Sequence, residues 1–340
     1  MYSTVFYFKK INSIGGVESM FYYLSCLYKG FTVMYREGDA NQIKRLAQNV
    51  EVIKYNNKMG TIKCKRFFCN YGLDVPVEAE EKYHIIHCDY RQVNFKPILY
   101  DGFKYIAVSK LAKQSFEDLT GQKAELIYNP VVVKKHTVSK YNDGKVHILV
   151  ASRLSPEKGG KNIIKLAQLS KEFIIDLYSN KHLFPELPNI IKHEPKLDLS
   201  EEMQKADFVA QLSKHEAFGL TVAESLTLGT PVIVTDLDAF KEIGCEHGKN
   251  AVICNYDMSN VDIDMIKKGI PKFKYTPPKS NWGKYLKTTG SYDKNEKVKV
   301  RLLKRFWDLE EDIHYSYNAV ADMKKCRVSE LESKGIVERL

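Results

Sequence analysis

Residues 216–224 read Glu-Ala-Phe-Gly-Leu-Thr-Val-Ala-Glu, and their setting indicates how the chain folds. The stretch lies between two apolar runs, residues 206–212 and 231–235, so the pattern predicts a strand, a tight loop, a helix and a second strand. In such an α/β unit the loop after the strand faces the crevice at the carboxyl ends of the sheet. The unpaired N–H groups that open the helix favour an anion there. We therefore predict a ligand-binding junction at residues 216–224.

The residues of this junction suit a ligand that carries both phosphate and hydroxyl groups. Phe218, Gly219 and Leu220 would supply the N–H groups, and Gly219 lets the backbone approach a ligand closely. Glu216 precedes the helix and Glu224 lies about two turns further on, so both carboxylates can face the ligand. Carboxylates repel phosphate but accept hydrogen bonds from the hydroxyls of a sugar or a ribose. The alternative is that both are surface charges favoured by the helix dipole.

A longer string favours the binding interpretation by resemblance. Residues 216–236, EAFGLTVAESLTLGTPVIVTD, resemble the family 4 glycosyltransferases, also called glycosyl transferases group 1, which are retaining enzymes of GT-B fold. The family signature, two glutamates with seven residues between them, is matched by Glu216 and Glu224. The resemblance implies that Glu216 holds hydroxyls of the transferred sugar and Glu224 the ribose of a nucleotide-sugar donor. It is strongest over residues 146–252.

A second match follows the predicted strand at residues 146–150, where residues 151–159 read Ala-Ser-Arg-Leu-Ser-Pro-Glu-Lys-Gly. Family members carry Arg and Lys at the positions of Arg153 and Lys158, where the two cations hold the donor diphosphate. A guanidinium makes bidentate contacts with phosphate, and an ammonium is a compact charge that can neutralise a leaving group. The alternative is a pair of solvated loop cations. Their position after a strand, opening a helix, favours binding.

A third match lies near the amino terminus. A predicted strand at residues 5–8 is followed by Gly15 and Gly16 and then by an apolar helix. In the family this Gly-Gly loop approaches the donor phosphate and the acceptor from the opposite domain. Two glycines alone are a weak signal because turns use glycine constantly, but their place between strand and helix favours binding. Glu18 is expected only to interact with the helix dipole.

The expected match nearest the reacting carbon is incomplete. A predicted strand at residues 83–88 ends near His87 and Asp89, and family members commonly have one or two histidines at this strand end. His87 matches the first histidine, whereas Asp89 stands at the second position. Both side chains are therefore candidates for contact with the transferred sugar, while His84 is expected to be a core residue.

No metal and no cofactor is expected beyond the donor itself. Asp236 and Asp238 have the D-x-D spacing of metal-dependent glycosyltransferases, but a predicted strand precedes them and a predicted helix follows, so we expect Asp238 to be an N-cap. The enzymes that the chain resembles generally need no metal. The sequence has no G-x-G-x-x-G after the first strand, no P-loop and no G-x-S-x-G, which disfavours nicotinamide, nucleotide-hydrolase and serine-hydrolase functions.

The donor implied by the resemblance is a nucleotide-diphosphate sugar, with UDP as the first choice of nucleotide. After the predicted strand at residues 173–178 the family often has a glycine-rich loop. This chain instead reads Ser-Asn-Lys-His over residues 179–182. The departure leaves base recognition open.

Length and pattern predict two α/β domains, and the resemblance implies a GT-B architecture, in which two Rossmann-like domains with parallel sheets face a central cleft. A chain of 340 residues is too long for one typical core. We expect an acceptor-side domain over residues 1–133, a linker over 134–144, a nucleotide-sugar domain over 145–290 and C-terminal helices over 291–340. The first of these helices, with apolar positions at Val298, Leu302, Leu303 and Phe306, is expected to cross back to the first domain.

The net charge of +10 calls for an anionic partner or another explanation. A basic cluster precedes Phe67 and Phe68 and consists of Lys54, Lys58, Lys63, Lys65 and Arg66. Such a surface could lie against an anionic membrane and bring the enzyme to a lipid-linked acceptor. The alternative is a solvated edge with Phe67 and Phe68 in the core. Nucleic acid is not expected as a partner, because no zinc finger, RNP-like string or clear helix-turn-helix is present.

Cysteine content and hydropathy indicate where the protein acts. The seven cysteines include no C-x-x-C pair, which argues against a disulfide framework and a structural zinc site. We expect reduced thiols in a cytoplasmic protein that can lie peripherally on the inner face of the membrane. Lys9 and Lys10 follow the first apolar stretch, so we expect no signal peptide, and no run of about 18 apolar residues predicts a membrane span.

Three functions remain in competition. The first is an active, metal-independent, retaining glycosyltransferase that extends a glycan or lipid-linked acceptor, in surface polysaccharide or glycoconjugate synthesis. The second is a nucleotide-sugar epimerase of the same fold, which the joint presence of Arg153, Lys158, Glu216 and Glu224 disfavours. The third is a catalytically inactive binding or scaffold subunit, supported only by Asp89 in place of the expected histidine.

Overall fold

The first domain is built on a parallel sheet. The structure, a computed structural model, describes residues 1–179, 186–288 and 292–340. The strands of this sheet are β1 (Tyr2–Ile11), β2 (Thr32–Gly38), β3 (Glu51–Lys54), β4 (Ile62–Asn70), β5 (Val77–Ile86), β6 (Lys104–Ala107) and β7 (Ala124–Leu126). They lie in the order β3-β2-β1-β4-β5-β6-β7. The helices of this domain are α1 (Gly16–Leu27), α2 (Ala40–Leu46) and α3 (Lys110–Thr120).

The centre of β1 is buried on both faces, as a parallel sheet covered by helices requires. The rings of Phe6 and Phe8 lie 5.0 and 4.5 Å from the ring of Phe21 on α1. Tyr7, which points to the other face, stacks on Phe67 at 6.2 Å. The apolar run at residues 5–8 therefore forms the predicted first strand, and both layers of the domain pack against it.

The second domain repeats this plan. Its strands are β8 (Val146–Ala151), β9 (Phe173–Tyr178), β10 (Ile190–His193), β11 (Phe208–Gln211), β12 (Val232–Thr235) and β13 (Ala251–Cys254). They are parallel and lie in the order β10-β9-β8-β11-β12-β13. The helices of this domain are α4 (Gly160–Leu169), α5 (Ser200–Lys205), α6 (Leu220–Leu228), α7 (Asp238–Glu242) and α8 (Ile263–Lys268).

Each sheet has one point at which the strand order reverses. It lies between β1 and β4 in the first domain and between β8 and β11 in the second. In open α/β sheets, ligands bind at such switch points, outside the carboxyl ends of the strands. The two switch points therefore predict where a ligand lies between the domains.

The chain passes between the domains twice within the described residues. The predicted linker packs on α5, where Lys134 N–H donates to Ser200 Oγ at 3.3 Å and His136 N–H to Gln204 Oε1 at 3.1 Å. After α8 the chain returns to the first domain, and Trp282 is fully buried there against Phe6. The expected boundary at residue 290 is therefore wrong, because the apolar side chains around Trp282 complete the first core.

The expectation of C-terminal helices is also wrong. The region forms β14 (Lys297–Leu302), β15 (Phe306–Asp308), β16 (Ile313–Tyr315), β17 (Val320–Lys324), α9 (Lys325–Ser333) and β18 (Val337–Arg339). In β14, Lys299 is exposed while Val300 and Leu302 are buried. Charged and apolar residues alternate in this segment with the period of a strand, which outweighs its weaker helical spacing. The region packs on the first domain, where Ser329 Oγ donates to the Val52 carbonyl at 2.7 Å.

The basic cluster near Phe67 and Phe68 is not a basic and aromatic surface. Both rings are fully buried in the first domain. Two of its cations are paired, since Lys63 lies 2.9 Å from Glu78 and Arg66 lies 2.9 Å from Glu81. The alternative interpretation, a charged edge over a strand core, is the correct one. No helix in the described part of the chain is both long and apolar enough to cross a membrane.

Candidate active site

A cavity of about 350 Å³ lies where the carboxyl ends of the two sheets meet. The first domain contributes residues that follow β5 and β6, and the second contributes residues that follow β11 and β12. The lining residues are Asp89, Arg91, Gln92, Leu111, Lys214, His215, Glu216, Leu237 and Asp238. Two predicted site residues, Asp89 and Glu216, therefore line one space although they belong to different domains.

One oxygen of the Glu216 carboxylate is the centre of a hydrogen-bond network. Its Oε1 accepts from the Lys158 ammonium at 2.5 Å, from the Ser213 hydroxyl at 2.8 Å and from the Gln211 amide at 3.0 Å. Gln211 also donates to Ser213 at 2.7 Å. Within the described ranges Oε2 has no hydrogen bond. The carboxylate is thus fixed by one oxygen and can accept from a ligand hydroxyl with the other.

The loops after β8 and β11 pack backbone against backbone, which brings Lys158 to this carboxylate. Gly159 has φ of 75°, and a Cβ there would lie 1.9 Å from the carbonyl oxygen of Leu212. The Lys214 N–H donates to the Glu157 carbonyl at 2.8 Å. Any other residue at position 159 would separate the loops, so this close approach requires glycine.

The amino terminus of α6 has the open backbone that the sequence predicts. Gly219, its N-cap, adopts a left-handed conformation with φ of 82°, and a Cβ there would lie 2.7 Å from the Phe240 ring. No side chain of the described residues caps the helix. The side chains of Phe218 and Leu220 are buried, so this turn can offer a ligand its backbone N–H groups.

The Gly15-Gly16 loop is held by a residue to which the sequence assigned a smaller role. Glu18 is buried, and its Oε1 accepts from both the backbone N–H and the side-chain amide of Asn12 at 2.9 Å. A Cβ at Gly15 would lie 2.2 Å from Glu18 Oε2, whereas a Cβ at Gly16 would meet no atom of the described residues within 4 Å. Glu18 therefore shapes the loop, and Gly16 leaves room beside it.

Arg153 is exposed in the loop after β8, and its charge acts on Tyr71 of the first domain. Burial raises the pKa of Tyr71 to about 12, with further contributions from Glu18 and Cys88, and Arg153 acts against this rise. Tyr71 directly follows β4 and has φ of 57°, which is uncommon outside glycine and marks a strained position. The predicted phosphate-binding guanidinium is thus near enough to Tyr71, on the first domain, to act on its phenol.

His87 is not among the cavity-lining residues. Its Nε2 lies 2.5 Å from Asn70 Oδ1, and since an amide oxygen only accepts, Nε2 carries the proton. Burial lowers the pKa of His87 to about 3, with a smaller contribution from His84. The ring is therefore neutral at physiological pH and held in the first domain.

Asp89, by contrast, is a buried carboxylate that lines the cavity. The Arg91 guanidinium donates to both of its oxygens, from Nε at 2.9 Å and from Nη2 at 3.2 Å. The Arg91 backbone N–H adds a third bond at 3.1 Å. Of the two candidates that the sequence left open, the structure brings Asp89 close to Glu216.

Glu224 bonds to the first domain and does not line the cavity. Its Oε1 accepts from the Tyr23 hydroxyl of α1 at 2.6 Å. Burial raises the pKa of Glu224 to about 7, while Tyr23 and Arg45 act to lower it. The two glutamates of the E-x7-E string thus have different surroundings: Glu216 is bonded to an ammonium and Glu224 to a phenol.

Asp236 and Asp238 both lie near Lys241, at 2.6 and 4.0 Å. The N-cap of α7 is Leu237, so the expectation that Asp238 caps the helix is wrong by one residue, and Asp238 stands in the first turn. In the described ranges no group of three or more His, Cys, Asp or Glu side chains could hold a metal ion. The sequence left base recognition open at residues 179–182, after β9. Residues 180–182 of this loop lie outside the described residues.

Several residues that complete this site carry no motif in the sequence. Gln211 and Ser213 fix Glu216, Arg91 fixes Asp89, and Tyr23 bonds Glu224. Ser213 and Gln211 could have been suspected because they end the strand that precedes Glu216. Tyr23 had no such signal, since only the packing of the domains brings it near its partner.

Part of the chain matches a known family of proteins. Residues 179–285 match the family model described as glycosyl transferases group 1. No curated protein has a significantly similar sequence. The match confirms the resemblance that the E-x7-E string indicated.

Solved structures share the fold at low sequence identity. Anabaena Alr3699/HepE in complex with UDP-glucose is 15% identical, with a TM-score of 0.60 over 78% of this chain and 89% of that one. A glycosyltransferase from Rickettsia africae ESF-5 is 16% identical, with a TM-score of 0.58 over 78% and 88%. WaaG, a glycosyltransferase involved in lipopolysaccharide biosynthesis, is 14% identical, with a TM-score of 0.54 over 78% and 89%. These likenesses establish the predicted GT-B fold.

Proposed function

We propose that this chain, a GT-B protein whose residues 179–285 match glycosyl transferases group 1, is a retaining, metal-independent glycosyltransferase. Its donor is a nucleotide-diphosphate sugar, with UDP as the first candidate because similar structures include a complex with UDP-glucose. Its acceptor is a glycan or lipid-linked saccharide of surface polysaccharide or glycoconjugate synthesis. We further propose that it works in the cytoplasm, peripherally on the inner face of the membrane; the support for this is the net charge of +10, which favours an anionic surface.

The observation that carries this proposal is the fixed pair of Lys158 and Glu216 beside the interdomain cavity. An ammonium has three donors, so Lys158 can hold Glu216 and still bind a phosphate oxygen. Glu216 can accept from sugar hydroxyls through Oε2. The pair thus places a hydroxyl acceptor beside a phosphate-binding cation, as a sugar diphosphate requires.

The proposed reaction follows from the charges that develop when the sugar leaves its diphosphate. The anomeric carbon becomes oxocarbenium-like while negative charge grows on the outer phosphate. Arg153, Lys158 and the first N–H groups of α6 stabilise that charge. The acceptor hydroxyl attacks from the face that the phosphate leaves, and the phosphate helps to remove its proton. The reaction then needs no protein nucleophile.

The remaining expected residues surround this centre. Glu224 binds the ribose, Gly16 leaves room for the donor phosphates, and Asp89 lines the cavity on the side of the first domain. Asp89 replaces the expected histidine, and the Arg91 guanidinium donates to both of its oxygens beside the cavity. This fixed carboxylate supports an active site over the inactive-scaffold alternative.

The test uses UDP-, GDP- and ADP-sugars with the purified protein in the presence of EDTA. A ligand at roughly a hundredfold over its dissociation constant stabilises a protein by about 2.7 kcal/mol, which a thermal melt detects. We expect one nucleotide to raise the melting temperature, and NMR of donor and product to show the same anomeric configuration. An inverted product would refute retention, and no shift with any donor would favour the scaffold alternative.

A further inference from the structure

Tyr23 connects the first domain to a carboxylate of the second. Its hydroxyl donates to Glu224 Oε1 at 2.6 Å, and its side chain is 7% exposed. The ring packs in the core cluster of the second domain, which includes Leu220 and Ala223 of α6, although Tyr23 belongs to α1. This contact therefore depends on how the two domains are placed.

The position of Tyr23 on its helix relates this contact to the donor. Tyr23 lies seven residues after Gly16, which is about two turns, so both residues share one face of α1. Gly16 opens the helix and leaves space beside its backbone. The same face of α1 thus offers room for a ligand at one end and a phenol bonded to Glu224 at the other.

Glu224 retains one oxygen for a ligand. Its Oε2 has no hydrogen bond to the residues that the structure describes, while Oε1 is taken by Tyr23. A phenol that donates to one oxygen fixes the orientation of the carboxylate and favours its ionised form. Removal of this hydroxyl would free the carboxylate to rotate and make its protonation easier.

We propose that Tyr23 is a positioning residue that orients Glu224 to bind the donor ribose, so that the first domain sets the affinity of the second for nucleotide. The proposal rests on the proposed function, because it requires a nucleotide donor whose ribose Glu224 contacts. Tyr23 itself touches the carboxylate and not the reacting atoms. Its hydroxyl makes ribose recognition depend on the contact between the domains.

The experiment compares Tyr23→Phe with Tyr22→Phe, the matched control on the neighbouring residue. Tyr22 also lies near the domain boundary, but its ring packs under the Arg45 guanidinium at 3.5 Å. Calorimetry would measure the affinities of UDP, 2′-deoxy-UDP and 3′-deoxy-UDP, with the GDP and ADP series if UDP does not bind. Thermal melts without ligand would confirm that both variants fold.

The wild type should lose affinity when a ribose hydroxyl is missing, by roughly tenfold for a charge-assisted hydrogen bond. Tyr23→Phe should weaken the binding of UDP by a similar factor. The ratio of the affinity for UDP to that for the deoxy nucleotide should then be close to one. Tyr22→Phe should keep the wild-type ratio. Because phosphate titration is the same in all three nucleotides, the ratio reports the ribose contact alone.

The ratio should also depend on pH through Glu224. The charged or titratable groups that act on this carboxylate are Tyr23 of α1, Arg45 of α2 and Asp198 before α5. The ionised carboxylate accepts more strongly, so the wild-type ratio should fall as pH drops through about 7. In Tyr23→Phe the ratio should stay close to one across this pH range, because the carboxylate is no longer held in place for the ribose hydroxyl.

A second variant keeps the proposal testable if Tyr23→Phe is unstable. Glu224→Gln should also bring the ratio close to one and remove its dependence on pH, and the double variant should be no worse than the more affected single one. If nucleotide binds and Tyr23→Phe keeps the wild-type ratio and pH profile, the inference is overturned and the proposed function stands. If no nucleotide binds the wild type, both are overturned.

Discussion

Lys158 and Glu216 lie 58 positions apart in sequence, yet their charged groups are 2.5 Å apart in the fold. Both side chains are largely buried, so each charge needs the other. Ser213 and Gln211 complete the set of donors around Glu216 Oε1. At the scale of single residues, the site is a carboxylate whose orientation is set by three donors.

Glu216→Gln tests this arrangement. The neutral amide keeps the shape but loses the charge-assisted bonds to Lys158 and to a sugar hydroxyl, each of which contributes about 1.5–3 kcal/mol. We expect kcat/KM for sugar transfer to fall roughly 100-fold or more. The melting temperature should also fall, because the largely buried Lys158 loses its counter-charge, so transfer is measured at a temperature at which the variant remains folded. Glu246→Gln is the control, since Glu246 is exposed and, among the described residues, its side chain is paired only with Lys249. Unchanged transfer in Glu216→Gln would refute the site assignment.

His84 and His87 make a second residue-scale prediction, on stability against pH. Burial lowers the pKa of His84 to about 4 and that of His87 to about 3. The unfolded chain takes up protons on both below about pH 6.5 and the folded chain does not, so stability must fall as pH drops through that range. Each histidine lowers the free energy of unfolding by roughly 1.4 kcal/mol for every pH unit below about 6.5.

Urea unfolding at pH 6.5 and 5.0 measures this effect. In His87→Gln the loss of unfolding free energy between these pH values should be smaller than in the wild type, by up to about 2 kcal/mol. His314→Gln removes an exposed ring and should leave the wild-type loss unchanged. Equal losses in all three proteins would contradict the assignment of a neutral, half-buried His87.

At the scale of elements, α6 is the helix that the site depends on. Left-handed glycines lie at both of its ends, Gly219 with φ of 82° and Gly229 with φ of 86°. They differ in their surroundings, because a Cβ at Gly219 would meet the Phe240 ring at 2.7 Å, whereas one at Gly229 would meet nothing within 4 Å in the part of the chain that the structure describes. A side chain at position 219 is opposed both by the Phe240 ring and by the positive φ, whereas one at position 229 is opposed by the positive φ alone.

Alanine at these two positions separates the effects. Gly229→Ala should cost about 1–2 kcal/mol of unfolding free energy from backbone strain alone, and nucleotide affinity should be retained. Gly219→Ala should cost more and weaken nucleotide binding at least tenfold, because the Cβ displaces the helix end that we assign to phosphate. Denaturant melts and calorimetry would measure both. Equal nucleotide affinity in the two variants would argue against a phosphate site at α6.

At the scale of the whole molecule, the chain ties the two domains together by crossing twice. Trp282, which follows the second domain, is fully buried in the core of the first, with its ring 6.0 Å from Phe6 and 5.9 Å from Phe68. Tyr285 follows and packs edge-on against Phe68 at 5.6 Å. The first domain therefore cannot complete its core without a segment that comes after the second.

Trp282→Ala should remove this coupling. Truncation of a buried tryptophan costs about 3–5 kcal/mol, and the loss falls on the first domain. We expect calorimetry to show that domain unfolding earlier than the second, as a separate transition, while Trp282→Phe retains most of the coupling. If both domains instead unfolded together in one sharp transition at a lower temperature, Trp282 would not couple the domains in the way proposed here.

Local pattern was enough to identify the two parallel sheets and the loops that carry Arg153, Lys158 and Glu216. Apolar runs, glycines and helix starts are properties of neighbouring residues, so they are visible in the sequence. The C-terminal region was misassigned because its apolar positions fit a weak helical spacing and a strand alternation at once. Only pairing with β17 and β18 decides between them.

Contacts between distant residues could be established only by the packed chain. The bond from Tyr23 to Glu224 spans 201 positions, and the bond from Lys158 to Glu216 spans 58. Residue type and spacing determine which groups can accept or donate. Which of them meet, and how far burial shifts their pKa values, depends on the relative placement of the two domains and on the water that this placement excludes.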